Sequence, residues 1–229
     1  MKRQTGGEHL YFLAAILLLI LCTWGQGLLD RGETAQADTG ISGETMAPQI
    51  ALTFDDGPTI YTETLLEGLK ERDVKASFFL LGRNIEGKEE LVKTMYEDGH
   101  LIGNHTYNHV RLSKISREQA VEEIQSTSEL ICEITGQYTS FIRPPYGEWS
   151  RELEYAVTMF PVLWSVDPLD WKTENADTVV QRVEKTVEEG DIILLHDGSE
   201  SSVEAALRII DDLTAEGYQF VTVEEMLLE

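Results

Sequence analysis

The chain has 229 residues, with 41 acidic against 18 basic side chains and a formal net charge of -23 at pH 7. A field of that sign repels nucleic acid and anionic lipid headgroups and disfavours a polyanionic substrate, so nucleic-acid binding is excluded as the function. Most of those carboxylates read as solvated surface, and the length allows one domain of about 190 residues with a sizeable core plus an N-terminal appendage.

The appendage comes first. Lys2 and Arg3 precede Leu10 to Trp24, a stretch with no charged residue, and the apolar character runs on through Leu29 to Asp30. Basic residues before such a stretch describe an uncleaved membrane anchor or a secretory signal, and counted through Leu29 it approaches the roughly 20 residues that span a bilayer. Ala35-Gln36-Ala37 resembles a cleavage site, but it lies further beyond the apolar run than a signal peptide places it. The expectation for residues 1–29 is therefore a signal peptide or membrane anchor, with the domain on the extracellular face of the cell membrane or secreted. Residues 30–47, rich in Gly, Ser, Thr, Asp and Glu, read as a tether. The domain then spans 48–229, where Cys132 is the single cysteine and no internal disulfide can form.

From Pro48 onward strand and helix patterns alternate. The spacing predicts strand Ile50–Phe54, helix Tyr61–Arg72, strand Ala76–Leu81, helix Lys88–Glu97 and strand Leu101–Asn104. Ser116, with Gln119 three residues on, forms a capping-box pattern opening a helix to about Ile134. Strand Ser140–Ile142, helix Ser150–Met159, strand Val162–Val166, helix Asp177–Glu188, strand Asp191–Leu195, helix Ser202–Glu216, strand Gln219–Val223 and a short terminal helix complete the series. Strands separated by helices imply a parallel sheet. The expected fold class is α/β, a distorted (β/α) barrel of about seven parallel strands, because five strand ends carry ionisable or turn residues and an open sheet would concentrate its site at one crossover.

Those strand ends hold the chemistry. His105-Thr-Tyr-Asn-His109 puts two imidazoles four residues apart, which on one helical turn would set both on the same face toward one ion. A zinc-type site needs a third protein ligand, and Asp55-Asp56 can supply it, one carboxylate binding the metal and the other acting as base. Asp-Asp-Gly-Pro is equally the pattern of a tight turn. His196, after a strand apolar on both faces, becomes a general acid if a carboxylate holds one ring nitrogen, and Asp167 and Asp170 are the candidate partners. Arg143 precedes two prolines that stiffen the chain, so it either orients a carboxylate or makes a structural ion pair. Tyr146 and Trp171 are stacking surfaces for a sugar or ordinary packing residues.

Taken together, Thr53-Phe-Asp-Asp-Gly-Pro58, His105-Thr-Tyr-Asn-His109, Arg143-Pro-Pro-Tyr-Gly147, Asp167-Pro-Leu-Asp-Trp171 and Leu194-Leu-His-Asp197 resemble, in order and spacing, the five motifs of the polysaccharide deacetylase family, the NodB-like carbohydrate esterases. The resemblance covers Pro48 to the C-terminus; Val110 departs from it, where many relatives carry proline. It implies metal-dependent removal of N- or O-acetyl groups from sugar polymers. Asp56, His105 and His109 match the metal ligands, and Asp55 matches the catalytic base. His196 matches the acid, Asp170 the carboxylate that tunes it, Arg143 the residue steadying Asp55, and the backbone N–H of Tyr146 the oxyanion donor. The implied cofactor is a divalent metal, zinc by ligand type, with cobalt or nickel also suited to two imidazoles and a carboxylate. The implied partner is an acetylated polysaccharide. An outward-facing domain points to N-acetylglucosamine of peptidoglycan, with chitin oligomers and xylan as alternatives and a catalytically inert sugar-binding barrel as the competing class. The sequence carries no signal of oligomeric state.

Overall fold

Alternation along one buried strand organises the molecule. In β1 (Gln49–Asp55), Ile50, Leu52 and Phe54 belong to the large core shared with the surrounding helices, whereas Ala51 belongs to a second, smaller cluster with Phe79, Phe141, Val162 and Val223. A strand's side chains point to opposite faces in turn, so the odd-numbered residues Ala51, Thr53 and Asp55 share the inner face and climb it toward the strand's C-terminal end. The computed structural model describes residues 47–228. The expected anchor or signal segment through Leu29, and the tether as far as residue 46, lie outside the described residues.

Elements follow in chain order as α1 (Thr62–Glu71), β2 (Ser77–Leu80), α2 (Gly82–Ile85), α3 (Glu89–Glu97), β3 (Leu101–Asn104), α4 (Arg117–Thr135), β4 (Phe141–Ile142), α5 (Arg151–Glu154) and β5 (Phe160–Pro161). The chain continues through α6 (Ala176–Glu184), β6 (Ile192–His196), α7 (Glu200–Ala215), β7 (Gln219–Val221) and α8 (Val223–Leu228). All seven strands are parallel, in the order β5-β4-β3-β2-β1-β6, with β7 on the start of β1. Parallel strands buried on both faces read as continuous apolar runs, and IALTF and IILL are such runs.

The barrel closes less completely than the sequence suggests. Its open seam lies between β5 and β6, bridged by the single pairing of Val166 with Ile193, so the sheet is a curled half-barrel. The expected strand Val162–Val166 is not one. The carbonyls of Val162 and Leu163 accept hydrogen bonds from the guanidinium of Arg143 at 3.2 and 3.3 Å, which diverts them from a ladder. The expected helix Ser150–Met159 is also shorter, ending at Glu154; Leu153 is its one buried residue, and so short a helix lives on tertiary packing. The predicted start of α4 holds: Ser116 accepts from Gln119 N–H, and the Gln119 side chain accepts from Ser116 N–H.

Candidate active site

Strand register brings the acid–base residues together. β1 and β6 are paired so that Asp55 stands opposite His196 at the C-terminal end of the sheet. Asp55 is only 3% exposed, and Arg143, fully buried beside it, donates from Nη1 to Asp55 Oδ1 at 2.9 Å and to Thr53 Oγ1 at 2.7 Å. The guanidinium also lies over the Phe79 ring at 4.3 Å. Burial holds the Arg143 pKa below its ordinary value while the charge and hydrogen bond of Asp55 oppose that shift. The ion pair is thus a buried one, in which each partner offsets part of the desolvation penalty of the other.

His196 is held on its other edge. Its Nδ1 lies 2.9 Å from Asp170 Oδ1, and its peptide N–H donates to Asp170 Oδ2 at 2.8 Å, so one carboxylate fixes both ring and backbone. Of the two carboxylates considered from sequence Asp170 is the partner; Asp167 instead accepts from Leu169 N–H at 2.9 Å in a local turn. Burial alone would lower the His196 pKa, but the hydrogen bond and charge of Asp170, helped by Asp55 and Asp56, raise it to about 9.

The third constellation is Asp56, His105 and His109, whose ligand atoms lie within 4.8 Å of one another. Asp56 Oδ1 is 3.4 Å from His105 Nε2 and 3.6 Å from His109 Nε2, and this buried oxygen has no hydrogen-bond partner among the described residues. Those distances exceed a hydrogen bond, but they suit ligands of one small cation: bonds of about 2.1 Å at a tetrahedral centre set ligand atoms about 3.4 Å apart. His105 Nδ1 lies 2.6 Å from the carbonyl of Arg143. A carbonyl only accepts, so Nδ1 carries the proton and Nε2 of the neutral ring keeps a lone pair for a metal. Burial lowers the His109 pKa against the pull of Asp56, which favours the neutral, metal-binding form. The residues present therefore fit a divalent cation.

The two histidines do not share a helical turn. Residues 105–109 form a loop after β3 in which Thr106 (φ 67°) and His109 (φ 59°) are left-handed, and the loop folds the rings to 5.0 Å between centroids. Asn104 Oδ1 accepts from Thr106 N–H at 2.8 Å, and Thr106 Oγ1 accepts from His109 N–H at 3.1 Å. Polar side chains thus replace helical hydrogen bonds.

Around these groups lies a cavity of about 370 Å3 lined by Asp55, Asp56, His105, His109, Trp171 and His196, among others. Tyr146, 54% exposed, stands edge-on to His109 at 4.9 Å, and Trp171, 55% exposed, lies on the same wall set. Each ring is about half exposed rather than packed in the core, and each carries a cation over one face: Lys172 Nζ lies 4.2 Å from the Trp171 ring. Tyr146 is left-handed (φ 62°), and Arg111 covers its ring at 4.2 Å. His100 is not part of the site: its buried Nδ1 accepts from Ala76 N–H at 3.1 Å, and burial lowers its pKa to about 4.

Several supporting residues had no assigned part in the sequence reading. Thr53 anchors Arg143 and donates to Ile193 O at 2.7 Å, and Trp164 lines the cavity. Asp197, fully buried, accepts from Thr62 Oγ1, and burial raises its pKa to about 6. A Cβ at Gly57 would lie 2.8 Å from Asp197 Oδ2, so the Asp-Asp-Gly turn rests against that carboxylate and only glycine fits. Its place directly after His196 was the available signal.

The sequence profile of the polysaccharide deacetylases matches residues 42–162. The chain belongs to the polysaccharide deacetylase family. It is 40% identical over 197 residues to a Bacillus cereus peptidoglycan-N-acetylglucosamine deacetylase, covering 81% of this chain and 70% of that protein. It is also 40% identical to the Bacillus subtilis peptidoglycan-N-acetylmuramic acid deacetylase PdaC over 187 residues, 80% of this chain but 40% of that longer protein. The solved structure of Bacillus subtilis PdaC superimposes with a TM-score of 0.77, covering 79% of this chain and 90% of that one. A Clostridium thermocellum acetyl xylan esterase, solved with a cobalt ion, gives 0.73 at 34% identity over 79% and 90% of the two chains. As a polysaccharide deacetylase, the chain has the curled parallel sheet and the strand-end motifs that its sequence resembles.

Proposed function

We propose that this protein is a metal-dependent deacetylase that removes N-acetyl groups from N-acetylglucosamine-type residues of peptidoglycan. The observation that carries the reading is the orphaned oxygen of Asp56 facing two imidazole nitrogens beside two pre-bonded pairs, Asp55 with Arg143 and Asp170 with His196. The 40% identity to deacetylases named for peptidoglycan supports the substrate.

Asp56, His105 and His109 would hold the cation, zinc by donor type with cobalt or nickel as alternatives, and it supplies Lewis acidity toward the acetyl carbonyl and acidifies water. Asp55 accepts the proton of the attacking water; Arg143 occupies its Oδ1, which leaves Oδ2 facing the cavity side of His105 at 3.7 Å. The peptide N–H of Tyr146 is the donor for the oxyanion. His196, its Nδ1 tied to Asp170, gives the proton on its opposite nitrogen to the leaving amine. Trp171 and Tyr146, half exposed at the cavity, are the aromatic surfaces for the sugar rings. Acetate and a free amino sugar result.

The anchor or signal reading of residues 1–29 would set the domain outside the membrane, facing the cell's own wall. A second reading, removal of O-acetyl groups from xylan, draws on the similarity to the acetyl xylan esterase. Acetate release from purified cell wall, chito-oligosaccharide and acetylated xylan, with the metal-loaded protein, separates these. Release from the wall is the expected result; release from xylan alone overturns the substrate, and release from none overturns the enzyme.

A further inference from the structure

Two of the three ligand residues stand in backbone that non-glycine residues avoid. Asp56 has φ 72° and His109 has φ 59°, and neither conformation persists unless neighbouring structure imposes it. The two loops come from different strand ends, yet one short element touches both. The turn before α2 and its first residues receive the Asp56 turn through Leu81 N–H to Gly57 O at 3.0 Å and through Asn84 Nδ2 to Asp56 O at 2.7 Å. The same element meets the histidine loop through Gly82 N–H to Thr106 O at 3.1 Å and Arg83 N–H to Tyr107 O at 3.2 Å. On the far side of that loop, Glu123 of α4 accepts from the peptide N–H groups of Tyr107 and Asn108 at 3.1 and 2.7 Å, and from Asn108 Nδ2 at 2.8 Å.

The α2 segment is packed tightly enough to act as a spacer. A Cβ at Gly82 would lie 2.4 Å from the Tyr107 ring and 2.5 Å from Thr127 Oγ1, so the loop and α4 close on it without slack. Asn84 and Glu123 are half-buried and bond to loop groups, not to the ligand atoms of Asp56 or His109. We propose that Asn84 and Glu123 are positioning residues that set metal affinity, by bracketing the two loops so that Asp56 and His109 keep their left-handed backbone and converge on one ion. This rests on the assignment of Asp56, His105 and His109 as ligands. Partners one step removed from a metal typically change its affinity about 10- to 100-fold.

The test compares Asn84→Ala and Glu123→Gln with the wild-type protein. Zinc affinity is read by competition between each apo protein and a chromophoric zinc chelator, acetate release is read across zinc concentrations, and circular dichroism reports folding. Each variant is expected to weaken zinc binding about ten-fold, with excess zinc restoring the wild-type rate. A merely structural role would move stability and leave affinity alone. Unchanged affinity in a folded variant, or a rate that excess zinc does not restore, overturns the proposal. Should Asn84→Ala fail to fold, Glu123→Gln, which keeps the side chain's shape, decides it alone. Failure of the wild-type protein to bind zinc or cobalt would instead overturn the ligand assignment itself.

Discussion

The cavity has two halves that are held in different ways. On the acid–base half, Asp55 and His196 end adjacent strands in register, and each is hydrogen-bonded at 2.9 Å, to Arg143 and Asp170 respectively. On the metal half, Asp56 and His109 stand beyond the strands in left-handed backbone, with Asp56 Oδ1 facing two imidazoles and bonded to neither. The first half is satisfied by protein groups alone. The second is complementary to something the protein does not supply, and its buried unpaired oxygen is costly until a cation arrives. Damage to the first half should therefore cost rate and spare metal, while damage to the second should cost metal and, through it, rate.

The largest contrast comes from one substitution in each half. Asp55→Asn should lower kcat about 10^4-fold, the upper end of what a general base supplies, with metal content near that of the wild type. His105→Ala should lose the metal, measured by elemental analysis after dialysis, and lose activity with it. If Asp55→Asn retained full activity, the assignment of the base would fall. If it lost metal as His105→Ala does, the division of the cavity into two halves would fall.

Next in size is the buried pair itself. Arg143→Met keeps an apolar stem against Phe79 but leaves Asp55 as an unpartnered buried charge, and breaking such a pair costs about 3–5 kcal/mol. Urea unfolding of the apo protein would read it. A loss under 1 kcal/mol, about the value of an exposed pair, would mean that water reaches Asp55.

The acid–base half was the more legible in the sequence, and the reason is physical. Its residues terminate apolar runs, and the period-2 alternation that buries Ile50, Leu52 and Phe54 outward carries Thr53 and Asp55 inward. The metal half was legible as residue types, since two histidines and a carboxylate within short motifs are scarce, but not as geometry. A helical turn was the expected carrier of His105 and His109, and a loop pinned by Asn104, Thr106 and Glu123 is the actual one. Bonds from side chains to distant backbone leave no periodic trace, which is why Asn84 and Glu123 carried no signal of position. The same cause hid the fate of Val162–Val166, whose apolar pattern is that of a strand while its carbonyls serve Arg143.

A smaller effect sharpens the acid–base half through pH. The His196 pKa is raised from 6.5 to about 9, so its pairing with Asp170 adds stability that is fully present below pH 6.5 and is lost as pH rises through about 9. Asp170→Asn removes the charge that opposes burial, and the remaining burial pushes the imidazole toward its neutral form. The apo variant should lose the wild type's decline in stability over that window, followed by thermal unfolding at several pH values. Its alkaline limb of kcat should move to lower pH by about one unit or more, because the proton donor is neutral sooner. The positive charge of a bound cation also disfavours the imidazolium, so the limb of the metal-loaded wild type should lie below about 9. An unmoved limb in Asp170→Asn would remove His196 from the role of acid.

The smallest expected effect tests whether the two halves, and not overall stability, govern activity. Ser116 caps α4 at the end of the helix that also carries Glu123, through a reciprocal pair of hydrogen bonds with Gln119 at 3.1 and 3.2 Å. Ser116→Ala removes one of the two and should destabilise the protein by about 1 kcal/mol. Two helical turns lie between this cap and the Glu123 carboxylate, and the cap is exposed, so fraying there should not reach the histidine loop. Zinc affinity and kcat should equal those of the wild type while the urea midpoint falls. If zinc affinity fell in step with stability, the histidine loop would be responding to the general firmness of α4, and the hydrogen bonds of Glu123 would have no separate claim on it.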